Sequence, residues 1–387
     1  MKHRRIWWLI GALVVLVIGS LGTAIWVTVQ SQSVTATTPA TTVTQHYRSW
    51  QTAYLADTGT QKFVKTNNGN GHLQTLSEAQ GYGMLITVMA AQQGVRTQNT
   101  FKQLTHYYLA HRLSKALPLM AWRQTQTRGK MRSTAAEKTS ATDGDLDIAY
   151  ALILADQQWG SRGDVNYRQL AQRLIKAIKR TELNPTTKLP RVGNWATTGT
   201  DANLVRTSDL MTVDFRKFAS YTRDGSWTRV AQNSQSLLQR LSQKQATGLM
   251  ADFVTVTGAK ATIGAVKPNQ VATSHDAQYG YNACRVPWRV AVDYQTTHSQ
   301  VSRQVLQKML TFFAKQHQLT AIYRLNGQAV TSYANQAFTT PIAYAAQVMD
   351  QSALTKRYGD SLTHHISGNN YYPETIQMLM LLQSQSK

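Results

Sequence analysis

Three short segments of this sequence hold residue types that can do acid–base chemistry. They stand out because acids are scarce: 19 Asp and Glu face 41 Lys and Arg. The first is Leu76-Ser-Glu-Ala-Gln-Gly-Tyr-Gly-Met84, where Glu78 opens an apolar helical pattern. One reading is a capping box, with Ser77 capping, Gln80 reaching back and Glu78 complementing the positive helix end. Capping does not account for Gly81 and Gly83 around Tyr82. Each costs about 1 kcal/mol relative to Ala in a helix, so a close backbone approach is expected there. The second segment is Ala141-Thr-Asp-Gly-Asp-Leu-Asp-Ile-Ala-Tyr150, with Asp143, Asp145 and Asp147 within five positions. A calcium loop begins this way, but its glycine is misplaced here and Leu154 stands where a bidentate Glu belongs, so no metal is expected. Capping by Thr142 with Asp145 uses one acid and leaves Asp143 and Asp147 over. Like charges this close raise one another's pKa, a pattern tolerated at reactive sites. The third is Tyr279-Gly-Tyr-Asn-Ala-Cys-Arg-Val-Pro-Trp-Arg-Val-Ala-Val-Asp-Tyr294. Its rings and Arg285 suit a sugar cleft, where aromatics stack on a pyranose face and Arg donates paired hydrogen bonds. The competing reading is core packing of Trp288, with Arg289 paired to Asp293.

The elements that must position these segments are helices. Apolar residues recur at helical spacing over 79–91, 100–109, 145–159, 168–180, 210–219, 228–241, 291–294 with a continuation over 301–314, 341–349 and 376–383. Strand-like alternation is sparse, and no repeat is strict enough for a solenoid, so a mainly α domain with long loops is expected. Ahead of it, residues 1–5 are basic through Lys2, Arg4 and Arg5, and residues 6–29 form an uncharged apolar run long enough to span a bilayer. Positive charge stays inside, so the remainder is expected outside the cell on a single-pass anchor; a cleaved signal peptide is the rival reading. Residues 30–44, rich in Ser, Thr and Gln, read as a tether, with the folded part over 45–387.

Composition narrows the functional classes. A chain of 387 residues with 42% hydrophobic content can bury a large core. The formal charge of +22 favours an anionic environment, but the basic residues are scattered and not interleaved with aromatics as a nucleic-acid track would be, so no nucleic acid is expected. The single cysteine, Cys284, excludes an internal disulfide framework and a multi-cysteine metal site. A monomer without cofactor is expected.

Taken in order, the three segments resemble glycoside hydrolase family 8. That family's pattern combines a Ser-Glu-x-x-x-Tyr-Gly-Met acid motif, an Ala-Ser/Thr-Asp-Gly-Asp-x-Asp-Ile-Ala signature and a Tyr-Asp/Asn-Ala-x-Arg-x-Pro-Trp-Arg segment. The signature here ends on Trp159. Met120-Ala-Trp122-Arg123, Thr207-Ser-Asp-Leu-Met211 with Phe215 and Phe218, Gly248-Leu-Met-Ala-Asp252-Phe253 and Asn370-Tyr-Tyr372 extend the likeness over nearly the whole chain after residue 45. The resemblance implies an (α/α)6 barrel with a substrate groove at one end. It implies Glu78 as general acid and Asp143 as the carboxylate that holds the sugar at the cleavage point and stabilises charge rather than attacking as a nucleophile. Trp122, Tyr82, Asn282, Arg285, Tyr371 and Tyr372 become substrate-binding residues.

An inverting glycosidase needs a second carboxylate roughly 6.5–9.5 Å from the acid, with room for the attacking water. Many members place Asp ahead of Ala-x-Arg; this chain has Asn282, which cannot take a proton. Asp276, in a polar loop upstream, is the expected base, with Asp209 and Asp252 as alternatives. A tension attends Glu78: a helix N-terminus lowers a carboxyl pKa, so burial or Asp143 must dominate for it to act as an acid. Two functions are expected to compete. One is endo-hydrolysis of a β-1,4-linked glucan, mixed-linkage glucan or chitosan, with a neutral glucan preferred because chitosan needs acidic subsites. The other is an inactive carbohydrate-binding role in exopolysaccharide or cell-wall handling, motivated by Asn282.

Overall fold

The computed structural model describes residues 39–66 and 72–386. The expected membrane span over 6–29 and most of the expected tether lie outside the described residues. Among the described residues no helix is long and apolar enough to cross a membrane. The chain divides into Met1–Thr41 and Thr42–Lys387, and the helices and strands that position the three segments belong to the second unit.

Among the described residues twelve α-helices alternate in two roles: α1 (Pro39–Tyr54), α2 (Ser77–Gln92), α3 (Gln98–Ala110), α4 (Thr142–Trp159), α5 (Tyr167–Thr181), α6 (Thr212–Thr222), α7 (Ser226–Lys244), α8 (Val286–Thr297), α9 (Gln300–Ala314), α10 (Gln336–Val348), α11 (Ser352–Tyr358) and α12 (Tyr371–Ser384). The even-numbered helices form a closed ring, each packed on the next and α12 back on α2, while the odd-numbered ones lie outside. This is the expected (α/α)6 barrel. The inner helix α2 is buried on every side from Met84 to Ala91, so its sequence reads as a nearly continuous apolar run, whereas the inner helix α6 leaves Arg216 and Lys217 partly exposed. Outer helices are two-faced: α5 buries Ala171, Leu174, Ile175 and Ile178 and turns Arg173, Lys176, Lys179 and Arg180 to solvent.

Two departures have physical causes. Helix α1 begins at Pro39, inside the stretch expected to be a tether, because Val43, Tyr47, Trp50 and Tyr54 follow a helical stripe through Thr-rich sequence and are all buried. Trp50 Nε1 donates to Thr375 Oγ1 (3.0 Å) and Tyr54 OH to Glu374 Oε2 (2.6 Å), fastening α1 to α12. Between α8 and α9 the chain turns at His298, which adopts the left-handed region (φ 52°), and Ser299 caps α9 by accepting from Ser302 N.

Strands are short, and they set positions. β1 (Leu55–Asp57) and β2 (Lys62–Val64) form a hairpin. β3 (Gln74–Leu76), β4 (Arg123–Thr127) and β5 (Lys130–Arg132) make one antiparallel sheet, and β6 (Leu204–Arg206), β7 (Phe253–Thr257) and β8 (Thr262–Ala265) another. Pairing of Leu76 with Arg123 seats Trp122 beside the start of α2, and pairing of Arg206 with Phe253 brings Arg206 next to Asp252 in the chain path.

Candidate active site

All the chemistry-bearing segments sit where inner helices begin. Glu78 is in the first turn of α2 and Asp143 in that of α4; Asp209 precedes α6, Arg285 precedes α8, and Asn335 and Asn370 stand just before α10 and α12. Inner helices that share one direction aim their positive ends at one place, which favours developing or fixed negative charge there. A recess of about 290 Å³ opens at that end, lined by Glu78, Tyr281, Asn282, Asn335, Asn370, Tyr372 and Pro373.

Neither acidic helix start uses the expected side-chain cap. The residues before α2 and α4 are Leu76 and Ala141, which have no capping bond, and Gln80 Nε2 donates instead to Leu104 O (2.9 Å) and Lys62 O (3.3 Å). The two starts are pressed together. A Cβ on Gly144 would lie 2.5 Å from Ser77 Oγ and 2.7 Å from Glu78 N, and one on Gly81 would lie 2.9 Å from Asp147 Cβ. The close approach foreseen around Tyr82 is therefore helix-to-helix at Gly81, where it sets Glu78 and Asp143 side by side, and helix-to-strand at Gly83, whose Cβ would lie 2.4 Å from Val64 Cγ2 in β2.

Arg285 joins them. Its fully buried guanidinium donates through Nη1 to Glu78 Oε2 (2.7 Å), Tyr82 OH (2.7 Å) and Asp143 Oδ2 (3.1 Å), and through Nη2 to Asn282 Oδ1 (2.9 Å). Arg206, with no role in the sequence reading, holds the other face of Asp143 (Nη1 to Oδ1, 2.8 Å) and reaches Asp209 Oδ2 at 3.2 Å. The third acid, Asp147, takes Arg289 Nη2 at 2.8 and 2.6 Å. This corrects the expected Arg289–Asp293 pair: Asp293 is held by Arg216 and Ser302, while Arg289 points across the ring to α4 and stacks over Trp288 at 3.7 Å.

The surroundings drive the two carboxyls apart. Burial raises Glu78, Arg285 opposes it and the Asp143 charge adds to it, leaving Glu78 at about 7. Its side chain keeps 18% exposure toward the recess, enough to meet a ligand. Burial also raises Asp143, but Arg206 and Arg285 outweigh it and hold the group at about 2. One carboxyl thus keeps its proton near neutrality while its neighbour stays ionised, the division of labour that acid catalysis with charge stabilisation requires. Asp209 is raised to about 7, first by burial, with Arg206 opposing.

The remaining expectations divide. Asn282 and Tyr372 line the recess, and Trp122 is half-buried beside it, its carbonyl accepting from Ser77 N at 3.0 Å. Tyr82 and Tyr371 are buried; Tyr82 supports Arg285, and Tyr371 packs edge-on to Tyr54 at 5.9 Å, so neither is a stacking platform, and Arg285 acts from behind the surface. Asp276 does not face the recess. Its fully buried carboxylate is consumed by the amides of Val271 (2.6 Å), Ala272 (3.0 Å) and Thr273 (2.8 Å), which shape its own loop. Of the alternatives, Asp252 lies directly behind the recess. Its Oδ1 accepts from Gly280, Asn282 and Ala283 amides at 2.9, 3.1 and 2.7 Å and its Oδ2 from Asn282 Nδ2 at 3.3 Å, so it positions Asn282. A Cβ on Gly280 would lie 2.6 Å from Asp252 Oδ2, which explains the glycine before Tyr281. Arg206 and Asn335 were not among the expected site residues, and Tyr281 and Asn370 stood within the matching motifs without a role of their own. Asn before an apolar helix was a usable signal for Asn335, whose Oδ1 caps α10 by accepting from Ala337 N, whereas Asn370 makes no capping bond to α12.

Comparison with known proteins agrees with this geometry. The model of Glycosyl hydrolases family 8 matches residues 18–386. A beta-glucanase of Niallia circulans is 32% identical over 364 residues, 92% of this chain and 86% of that protein. An endoglucanase of Bacillus sp. (strain KSM-330) is 30% identical, covering 78% of this chain and 67% of that one. Among solved structures, the apo beta-1,3-1,4-glucanase from Paenibacillus sp. X4 superposes with a TM-score of 0.82 at 32% identity, over 91% of this chain and 93% of that one. A cold-adapted family 8 xylanase reaches 0.74 at 19% identity over 92% of each chain, a likeness of fold.

Proposed function

Because the chain belongs to glycosyl hydrolases family 8 and is a glycosidase, we propose that it cleaves internal β-1,4 bonds of a β-glucan outside the cell, with inversion at the anomeric carbon. The observation that carries this reading is the pair of adjacent carboxyls with opposite protonation, Glu78 at about 7 and Asp143 at about 2, sharing Arg285. Glu78 gives its proton to the leaving glycosidic oxygen as that bond breaks. Asp143, fixed by two guanidiniums, remains ionised and stabilises the positive charge that spreads over C1 and the ring oxygen. Water adds to C1 from the opposite face.

Asn282 stands at the recess where the resemblance leads one to expect a base. Held by Asp252 and Arg285, it orients the water, and the water's proton is lost to solvent in the open recess. A positioned base contributes about 10²–10⁴ in rate, so a slow enzyme is the consequence. A neutral glucan backbone suits the recess better than chitosan, because apart from Glu78 its lining is amides, tyrosines and a proline. The names of the beta-glucanase and endoglucanase relatives support the same substrate class. The uncharged apolar run over 6–29 after Lys2, Arg4 and Arg5 supports a single-pass anchor with the barrel outside the cell.

The test is release of reducing ends from soluble mixed-linkage glucan, hydroxyethyl cellulose, xylan and chitosan, with the first-formed anomer followed by proton NMR. The reading expects an α-anomer from a β-glucan. A β-anomer, or activity confined to chitosan, would overturn it.

A further inference from the structure

A second recess, of about 330 Å³, opens beside Trp122; His111, Arg112, Ala121, Arg132 and Lys138 are among its lining residues. Its location follows from two hydrogen bonds: Ala121 N donates to His111 O at 3.0 Å, and the next carbonyl, of Trp122, accepts from Ser77 N, the residue before Glu78. The recess is therefore one residue along the chain from Trp122, whose carbonyl meets the residue that opens α2.

Its charge is one-sided. Between residues 112 and 138 the chain has seven Lys and Arg and a single acid, Glu137, which is taken by Arg123 and by Thr134 N. Every Asp and Glu of the chain lies among the described residues, and none of them forms an ion pair with Arg112, Arg132 or Lys138. Arg112 spends its Nε on Leu109 O (2.9 Å) and keeps its charge uncompensated. His111 is held down at about 4 by burial and so contributes a ring nitrogen without a charge. The lining offers donors and cations and no aromatic platform, which suits an anionic group better than a bare pyranose ring.

Resting on the reading of this chain as a β-glucan hydrolase, we propose that the recess is an accessory subsite for an anionic substituent, a carboxylate or phosphate, on the glycan chain lying in the groove. The preferred substrate is then a β-glycan with a neutral backbone at the cleavage point and acidic decoration toward the Trp122 end. Arg132 and Lys138 approach from the β5 strand and the segment after it, Arg112 from the end of α3, so the anion is bracketed from three directions.

The test uses the full chain with Glu78→Gln to prevent turnover, titrated calorimetrically with carboxymethyl cellulose and with neutral hydroxyethyl cellulose of matched length, at low and high salt. The expected result is tighter binding of the carboxymethylated polymer by about tenfold at low salt, the scale of a few solvent-screened charge contacts. That preference should vanish in Arg132→Glu/Lys138→Glu while binding of the neutral polymer persists. A control, Arg173→Glu/Lys176→Glu on the outward face of α5, removes the same charge elsewhere and should keep the preference. Equal loss in the control, or a preference that survives in the recess variant, overturns the subsite and assigns any preference to bulk charge. Neutral binding without an anionic preference overturns this proposal alone, whereas no binding of either polymer overturns the β-glucan reading on which it rests.

Discussion

Replacing Arg285 by Met should destabilise the protein in a way that depends on pH, and the size can be worked from its partners. The substitution keeps most of the apolar stem and deletes the guanidinium that serves Glu78, Tyr82, Asp143 and Asn282. Asp143 keeps Arg206 at 2.8 Å, so its charge stays paired. Glu78 loses its guanidinium contact and has none in reserve. Because Glu78 is raised above the ordinary carboxyl value of 4.5 to about 7, its contribution to stability is complete below about 4.5 and is lost as pH climbs through about 7. Without Arg285 that raised value moves higher still, since Arg285 is the foremost of the two guanidiniums that lower it, Arg206 being the other. At pH about 5 Glu78 is protonated in both proteins and the loss is that of hydrogen bonds, roughly 1–3 kcal/mol. At pH about 8.5 an unpaired buried charge must be carried or a proton taken up, and the loss approaches roughly 3–5 kcal/mol. Urea unfolding of both proteins at the two pH values measures the difference. An equal loss at both would refute the reasoning and reduce Arg285 to a packing residue.

Gly144→Ala should lower both Tm and kcat, because its Cβ would meet Ser77 C at 2.6 Å and Glu78 N at 2.7 Å and must splay the starts of α2 and α4, at about 1–3 kcal/mol; calorimetry with wild-type values in both would show that the starts have room. Asp276→Asn should lower Tm through its loop amides and leave kcat close to wild type, whereas a fall of about 10² or more would restore Asp276 as the base. Asn282→Asp adds a carboxylate at the recess and should raise kcat about tenfold or more on the same glucan; an unchanged or lower rate would mean that water activation is handled elsewhere.

Much of the site was legible because its residues are expensive in any other role. Glycines inside α2 and at the start of α4, three aspartates in five positions, and an arginine ahead of Pro287 make little sense as ordinary helix starts; Gly81 and Gly144 let the two starts meet and Arg285 joins Asp143 to Glu78, while Gly83 faces Val64 and Asp145 accepts from Met120 N. What was not legible depends on tertiary approach. The caps assigned to Ser77 and Thr142 were plausible for isolated helices, and the neighbouring helix start overrode them. Arg206 is one arginine among many in a basic chain, and its bond to Asp143 exists because β6 pairs with β7. Asp276 looked available in a polar loop, but local amides claim its carboxylate, a choice that depends on backbone turns. Helical spacing made a mainly α domain legible and the family resemblance supplied the barrel, whereas α1 hid in Thr-rich sequence whose buried stripe of Val43, Tyr47, Trp50 and Tyr54 is diluted by polar neighbours.

The most direct test of the central claim is the pH dependence of kcat/KM on soluble mixed-linkage glucan for the wild type and Glu78→Gln. Wild-type activity should fall on the basic side through about pH 7 as Glu78 gives up its proton, and the variant should be slower by about 10²–10⁴ with that limb absent. A variant that keeps both the wild-type rate and the same basic limb would contradict the assignment of Glu78 as the proton donor.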